Sequence, residues 1–209
     1  TLDTSTLFRS VHQVRPGSIE TWTLENHSPQ LLSIEKREPF SFQKNLAASE
    51  KFPPDKLHES LDYDIKNRLM SDVDVGVILS GGLDSSIVAA QMKNSEHYSS
   101  SDLVAWTVAD SDNNPDYKSA VEVAEHLDLI HHTLLVGEED YERALVNQVY
   151  YGEDFDLTVS FFQSLFEFAG NTHKVALCGQ GSDEFHGGYP RYGSPMEYGA
   201  HISQRYDLL

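Results

Sequence analysis

An apolar run that ends at two glycines and resumes with helical spacing constrains this chain more than any other feature. Residues 75–90 read VGVILSGGLDSSIVAA. Residues 75–79 suit a buried strand, and Leu83, Ile87, Val88 and Met92 recur at spacings that predict one side of a helix. Strand, glycine turn and helix N-terminus together form an anion cradle. Glycine lets the backbone come close, several N–H groups converge, and the helix dipole adds partial positive charge. Ser80, Ser85 and Ser86 add hydroxyl donors, and Asp84 adds a carboxylate able to hold Mg²⁺ beside phosphates. The motif GxxxxGK[ST] is not met, because no lysine follows the glycines. A turn that merely joined strand to helix would not need glycines, serines and an aspartate together at these places.

The surrounding chain alternates strands and helices. Phe52, Pro53, Pro54 and Asp55 open a helix with Leu57, Leu61, Ile65 and Leu69 along one stripe. Residues 99–102 read as a loop, and residues 103–108 as a strand. Asn114 then reads as a helix cap, Pro115 as the first helical position and Asp116 as a first-turn carboxylate. Tyr117, Ala120, Val121, Ala124 and Leu127 make that helix's apolar face. Residues 132–136 predict a third strand, and residues 138–150 a helix with Tyr141, Ala144, Leu145 and Val149 inward. Thr158 is the expected cap of a further helix, with Val159, Phe162, Phe166 and Ala169 on one side. Its crowded aromatics, Phe161, Phe162, Phe166 and Phe168, are read as core. Gly170 and Asn171 end it, and residues 174–178 form a fourth strand. In the first 45 residues only one strand, residues 19–24, is expected, with turns at residues 14–18 and 26–29.

Four strands alternating with helices predict an α/β fold, a parallel sheet with helices on both faces. Ligands bind such sheets beyond the carboxyl ends of the strands. The loops after Leu79, Val108 and Cys178 are therefore expected to share one crevice. The last of these, residues 179–189, reads GQGSDEFHGGY, with glycines that let backbone pass close to a ligand. Asp183 is expected across the crevice from Asp84, the two carboxylates forming a Mg²⁺ site with phosphate oxygens and water. The alternative for Asp183 and Glu184 is a solvated turn.

Composition removes several function classes. A net charge of −18 argues against a protein that grips nucleic acid along its backbone. No apolar run approaches the ~20 residues that span a bilayer, and the opening TLDTSTLFRS is not a signal peptide, so a cytoplasmic location is expected. Cys178 is the one cysteine, which excludes an internal disulfide and a cysteine-based zinc site. His131 and His132, adjacent on a strand, point to opposite faces and do not pair on one ion.

The stretch SGGLDSS resembles the PP-loop of the ATP pyrophosphatases, which cut ATP between the α and β phosphates. With SDVDVGVILSGGLDSS, NPDYKSAVEVAEHL, the two histidines after it and GSDEFHGGY, the chain resembles the synthetase domain of the glutamine-dependent asparagine synthetases over about residues 57–192. Residues 1–45 resemble the closing segment of that family's N-terminal glutaminase domain and its linker, and residues 46–209 a PP-loop domain truncated at its C-terminal end. The resemblance implies an adenine nucleotide alpha hydrolase-like fold with ATP and Mg²⁺ as cofactors. It implies adenylation of a small-molecule carboxylate (aspartate in a true asparagine synthetase), loss of pyrophosphate, and amide formation with ammonia or an amine. By the same resemblance Ser80, Gly81, Gly82, Asp84, Ser85 and Ser86 take the pyrophosphate. Asp84 and Asp183 hold Mg²⁺, and Leu79, Val108, Cys178 and Gly179 border the adenosine. Asp116 stands at a matching position, and a homodimer is compatible with the family.

Three departures follow. Residue 1 is threonine and the one cysteine is Cys178, so the nucleophile of the family's glutaminase is missing from this chain. The family's domain normally continues past GGY to a lysine that steadies the transition-state phosphate, and this chain stops at Leu209. Gln180 stands where asparagine synthetases carry a carboxylate and β-lactam-forming relatives a tyrosine; glutamine bonds but takes no proton near neutral pH. An amide ligase acting on another acid (a β-lactam or macrolactam synthetase) and a non-catalytic nucleotide-binding module are the alternatives.

Overall fold

A computed structural model describes residues 4–6, 8–15, 17–36, 53–98, 102–152, 160–186 and 188–189. The chain divides into two compact units, Thr1–Lys51 with Gly187–Leu209, and Phe52–His186.

In the first unit, β1 (Ser18–Glu25) pairs antiparallel with β2 (Ser28–Lys36). Glu25 faces Ser28 in the register, so Asn26 and His27 alone make the turn, both at positive φ (51° and 64°). Two left-handed residues give the turn whose twist matches the flanking strands, and asparagine tolerates that conformation. The sequence predicted β1 but extended the turn through Ser28 and Pro29. In the structure Pro29 already pairs with Leu24, so β2 is a strand the residue pattern did not reveal.

The second unit holds the sheet. α1 (Pro54–Arg68) leads into β3 (Val75–Ile78), then α2 (Leu83–Asn94), β4 (Val104–Ala109), α3 (Pro115–His126) and β5 (Ile130–Leu135). α4 (Glu138–Gly152), α5 (Ser160–Gly170), β6 (Val175–Leu177) and the short α6 (Ser182–His186) follow. The sheet order is β5-β4-β3-β6, and every pairing is parallel. The expected α/β class, a parallel sheet covered on both faces, is the observed one.

Alternation along the strands sorts the side chains between two layers. Val75, Val77 and Leu79, with Leu103 and Ala105, pack against Ile65 of α1, Ala89 and Met92 of α2, and Ala120 and Ala124 of α3. Ile78 and Trp106 point the other way and meet Leu165 and Ala169 of α5. Each fully buried Leu or Met of this kind stabilises the fold by roughly 2 kcal/mol. The topology then places the site. The chain runs outward from β3 to β5, returns across the far side, and re-enters beside β3 as β6. The order reverses between β3 and β6, and sheets of this kind bind ligands at the carboxyl ends beside such a reversal.

Several predicted faces shift. Leu83 is 75% exposed, and α2 buries Ser85, Ala89 and Gln91 along with the predicted Met92, because its first turn borders the open end of the sheet. Val149 and Phe166 are exposed, and α5 buries Ser160 and Leu165 with the predicted Ala169. Of the aromatics read as core, Phe162 and Phe168 pack beside Leu165, half-buried. β5 starts at Ile130, two residues before the predicted strand, and β4 runs to Ala109, so Val108 lies within the strand. Phe52, residues 99–101, Thr158, Val159, Gly187 and Tyr192 lie outside the described residues. Among the described residues no helix is long and apolar enough to cross a membrane.

Candidate nucleotide site

The loop between β3 and α2 is braced by its own serines. Ser85, 5% exposed, accepts the Ser80 N–H at 3.2 Å and donates to the Gly82 carbonyl at 3.2 Å. A hydroxyl has one proton, so at the 2.9 Å contact between the two hydroxyls Ser80 donates and Ser85 accepts. The Ser80 hydroxyl in turn accepts from the Gly82 N–H at 3.3 Å, and Ser86 donates to the Gly82 carbonyl at 2.7 Å. The hydroxyls expected to face a ligand thus hold the turn in shape. Gly81, at φ 76°, makes the turn, and a Cβ on it would lie 2.4 Å from the Ala120 amide nitrogen. Only glycine serves both requirements.

α2 begins at Gly82 without a side-chain cap. Its first-turn amides are therefore directed to solvent or a ligand, and they carry the positive end of the helix dipole. Asp84 sits in this turn, half-buried, and accepts from the Ser182 hydroxyl at 2.9 Å. The loop after β6 is drawn in further by Gly179, whose added Cβ would fall 2.6 Å from the Ser85 nitrogen. The loops after β3 and β6 therefore touch, as expected. The neighbour brought directly onto Asp84 is Ser182, with Asp183 next to it in α6. Leu79 is buried beneath the loop, Cys178 is exposed just past β6, and Gln180 is exposed in the turn before α6. Val108 is half-buried on β4.

The loop after β4 starts at Asp110. Asn114 accepts from the Asp116 and Tyr117 amides, the predicted cap, and donates to Asp110 at 2.8 Å. That bond holds the Asp110 carboxyl below its ordinary range. Asp116 is exposed. Reading residues alone missed Thr107 and His131. Thr107 donates to the Leu79 carbonyl at 2.6 Å and meets His131 Nε2 at 2.8 Å. His132 lies on the opposite face, edge-on to Phe168, so the two histidines part as predicted. Among the described residues no three His, Cys, Asp or Glu side chains gather as a metal site.

A family match described as Asparagine synthase covers residues 56–206, which includes both loops. The chain belongs to the asparagine synthase family. Its sequence is 34% identical over 147 residues to asparagine synthetase B [glutamine-hydrolyzing] of Escherichia coli (strain K12), covering 64% of this chain and 26% of the relative. It is 35% identical over 145 residues to asparagine synthetase [glutamine-hydrolyzing] 2 of Oryza sativa subsp. japonica, covering 64% and 24%. It is 30% identical over 192 residues to asparagine synthetase [glutamine-hydrolyzing] of Asparagus officinalis, covering 86% and 30%. This asparagine synthase family chain thus spans less than a third of the length of these relatives. Among solved structures it is similar to an NH3-dependent NAD synthetase from Campylobacter jejuni (TM-score 0.47, 17% identity, 66% of this chain and 62% of that one). An NMN synthetase from Francisella tularensis also matches (TM-score 0.44, 20% identity, 66% and 60%). Neither structural likeness bears on function at these scores.

Proposed function

We propose that this chain is the nucleotide-binding part of an ATP-dependent amide ligase. The observation that carries the reading is the braced loop of residues 80–86, whose uncapped helix start meets Gly179, in a chain of the asparagine synthase family. The first-turn amides of α2, which no side chain caps, fit polyphosphate oxygens. Carboxylate donors suit Mg²⁺, which is commonly held by one or two of them. In this reading the amides of Gly81 and the first turn of α2 bind the leaving pyrophosphate. Asp84 and Asp183 hold Mg²⁺, and Leu79, Val108, Cys178 and Gly179 border the adenosine. Bound Mg-ATP would supply activation of a substrate carboxylate by adenylation. The loop's contribution is electrostatic, since donors fixed before the reaction lose nothing to reorganisation as charge builds.

A second reading, an amide ligase acting on an acid other than aspartate, is favoured by Gln180. A glutamine orients the attacking nitrogen by hydrogen bonds and leaves its proton to another group. The test of the nucleotide assignment is calorimetry with ATP and AMP, with and without Mg²⁺. Mg-ATP should bind more tightly than AMP, and Asp84→Asn should remove most of the Mg²⁺-dependent gain with the fold intact. Equal affinity for the two nucleotides overturns the pyrophosphate assignment.

A further inference from the structure

The peptide unit between Leu79 and Ser80 is the hinge at which β3 becomes the phosphate loop, and side chains hold both of its polar groups. Its N–H, on Ser80, donates to Ser85 Oγ at 3.2 Å. Its carbonyl, on Leu79, accepts from Thr107 Oγ1 at 2.6 Å. Because a peptide is planar, holding both groups fixes its orientation and so the direction in which Gly81 and Gly82 leave.

The Thr107 end depends on a third residue. Thr107 is 3% exposed, and its hydroxyl lies 2.8 Å from His131 Nε2. A carbonyl can only accept, so the single hydroxyl proton goes to Leu79 and His131 must donate to the same oxygen. That requires a neutral ring with its proton on Nε2, or an imidazolium; burial and the charge of His132 both favour the neutral ring. The sheet builds this contact. Ala105 is registered with His131, and Thr107 follows on the same face, so the imidazole reaches it diagonally.

We propose that His131 is a positioning residue for the phosphate loop, acting through the Thr107 hydroxyl to aim the Leu79 carbonyl and the peptide that follows it. Without the imidazole the hydroxyl is free to rotate away from Leu79, and the loop's amides lose a fixed direction. The proposal rests on the nucleotide reading only for its effect on ATP, so its test has two arms. In the full chain, ¹⁵N NMR at neutral pH should report His131 as the Nε2–H tautomer. His131→Leu and Thr107→Val should shift the Ser80, Gly81 and Gly82 amide resonances and weaken Mg-ATP binding about five- to tenfold, the loss of one ordinary hydrogen bond. His131→Gln and Thr107→Ser keep the needed groups and should stay within about twofold of the parent. His131 lies partly at the surface, so its variants carry the test even where Thr107→Val does not fold. An Nδ1–H tautomer, or loop amides unmoved in His131→Leu, overturns the relay. A parent chain that binds no Mg-ATP overturns the nucleotide reading, and the NMR arm still decides the relay.

Discussion

Strands β3 and β6 both feed the candidate site, and they are held in opposite ways. β3 is buried at every residue. At its start the Tyr98 hydroxyl accepts the Val75 N–H at 3.1 Å and donates to the Val75 carbonyl, a buried placement that raises the phenol's pKa. At its end the Leu79 N–H donates to Trp106 at 2.9 Å and its carbonyl accepts from Thr107. β6 has three residues, with Ala176 exposed, and it lies at an edge of the sheet. Its loop leans on the first one, with Gly179 against Ser85 and Ser182 on Asp84. One wall of the crevice is thus carried by the core, and the other by contact with that wall. Changes along β3 should cost the fold, whereas changes after β6 should cost the site.

The largest effect is expected at Gly76. A Cβ there would fall 2.0 Å from Trp106 Cζ3 and 2.9 Å from the Val104 carbonyl. Trp106 is 1% exposed and packed against Ile78, Leu165 and Ala169, so its ring has nowhere to swing. Gly76→Ala should lower the unfolding free energy by about 2–3 kcal/mol, at the upper end of ordinary overpacking costs. Urea denaturation measures this. An unchanged midpoint would break the comparison, since it would mean that β3 is no better held than β6.

Gly179→Ala should do the reverse. The new methyl pushes the second loop off the α2 N-terminus, 2.6 Å from the Ser85 nitrogen and 2.9 Å from Asp84 Cβ. Few core contacts depend on that loop, so stability should change by less than about 1 kcal/mol. Mg-ATP affinity should fall about tenfold, because an approach closed by a methyl removes donors from the ligand. If stability falls as far as in Gly76→Ala, the two walls are one cooperative unit.

What could be read from the residues follows the same division. The strand, glycine turn and helix of residues 75–94 and the Asn114 cap are local: their signals lie within a few neighbouring residues, and the structure bears out both as local structure. The parallel sheet followed from the alternation of elements. β2 was missed because Ser28 and Pro29 carry turn composition, and only the pairing of Leu24 with Pro29 shows that the strand has resumed. Leu83 was misplaced because helical spacing records a face but not which end of a helix overhangs an open crevice. Gly76 against Trp106, Gly179 against Ser85 and the diagonal from His131 to Thr107 all depend on register between distant strands and loops, which no local pattern encodes.

The smallest effect expected is a pH dependence set by the wall that the core holds. Burial, and then the charge of His132, lower the His131 pKa from its ordinary 6.5. The unfolded chain therefore binds more protons at this residue than the folded chain once the pH drops toward 6.5. The contribution of His131 is fully present above the unfolded pKa and is lost as the pH falls through the lower folded value. The chain has ten histidines, so the informative quantity is a difference between proteins. Urea midpoints taken between about pH 5 and pH 8 should fall more steeply on the acid side for the parent than for His131→Gln, which has no ring to protonate. The corresponding Gly179→Ala curve should run parallel to the parent, because that variant keeps the His131 ring. Parallel curves for the parent and His131→Gln would mean that the ring is not held neutral, and that the clamp on Leu79 survives its protonation.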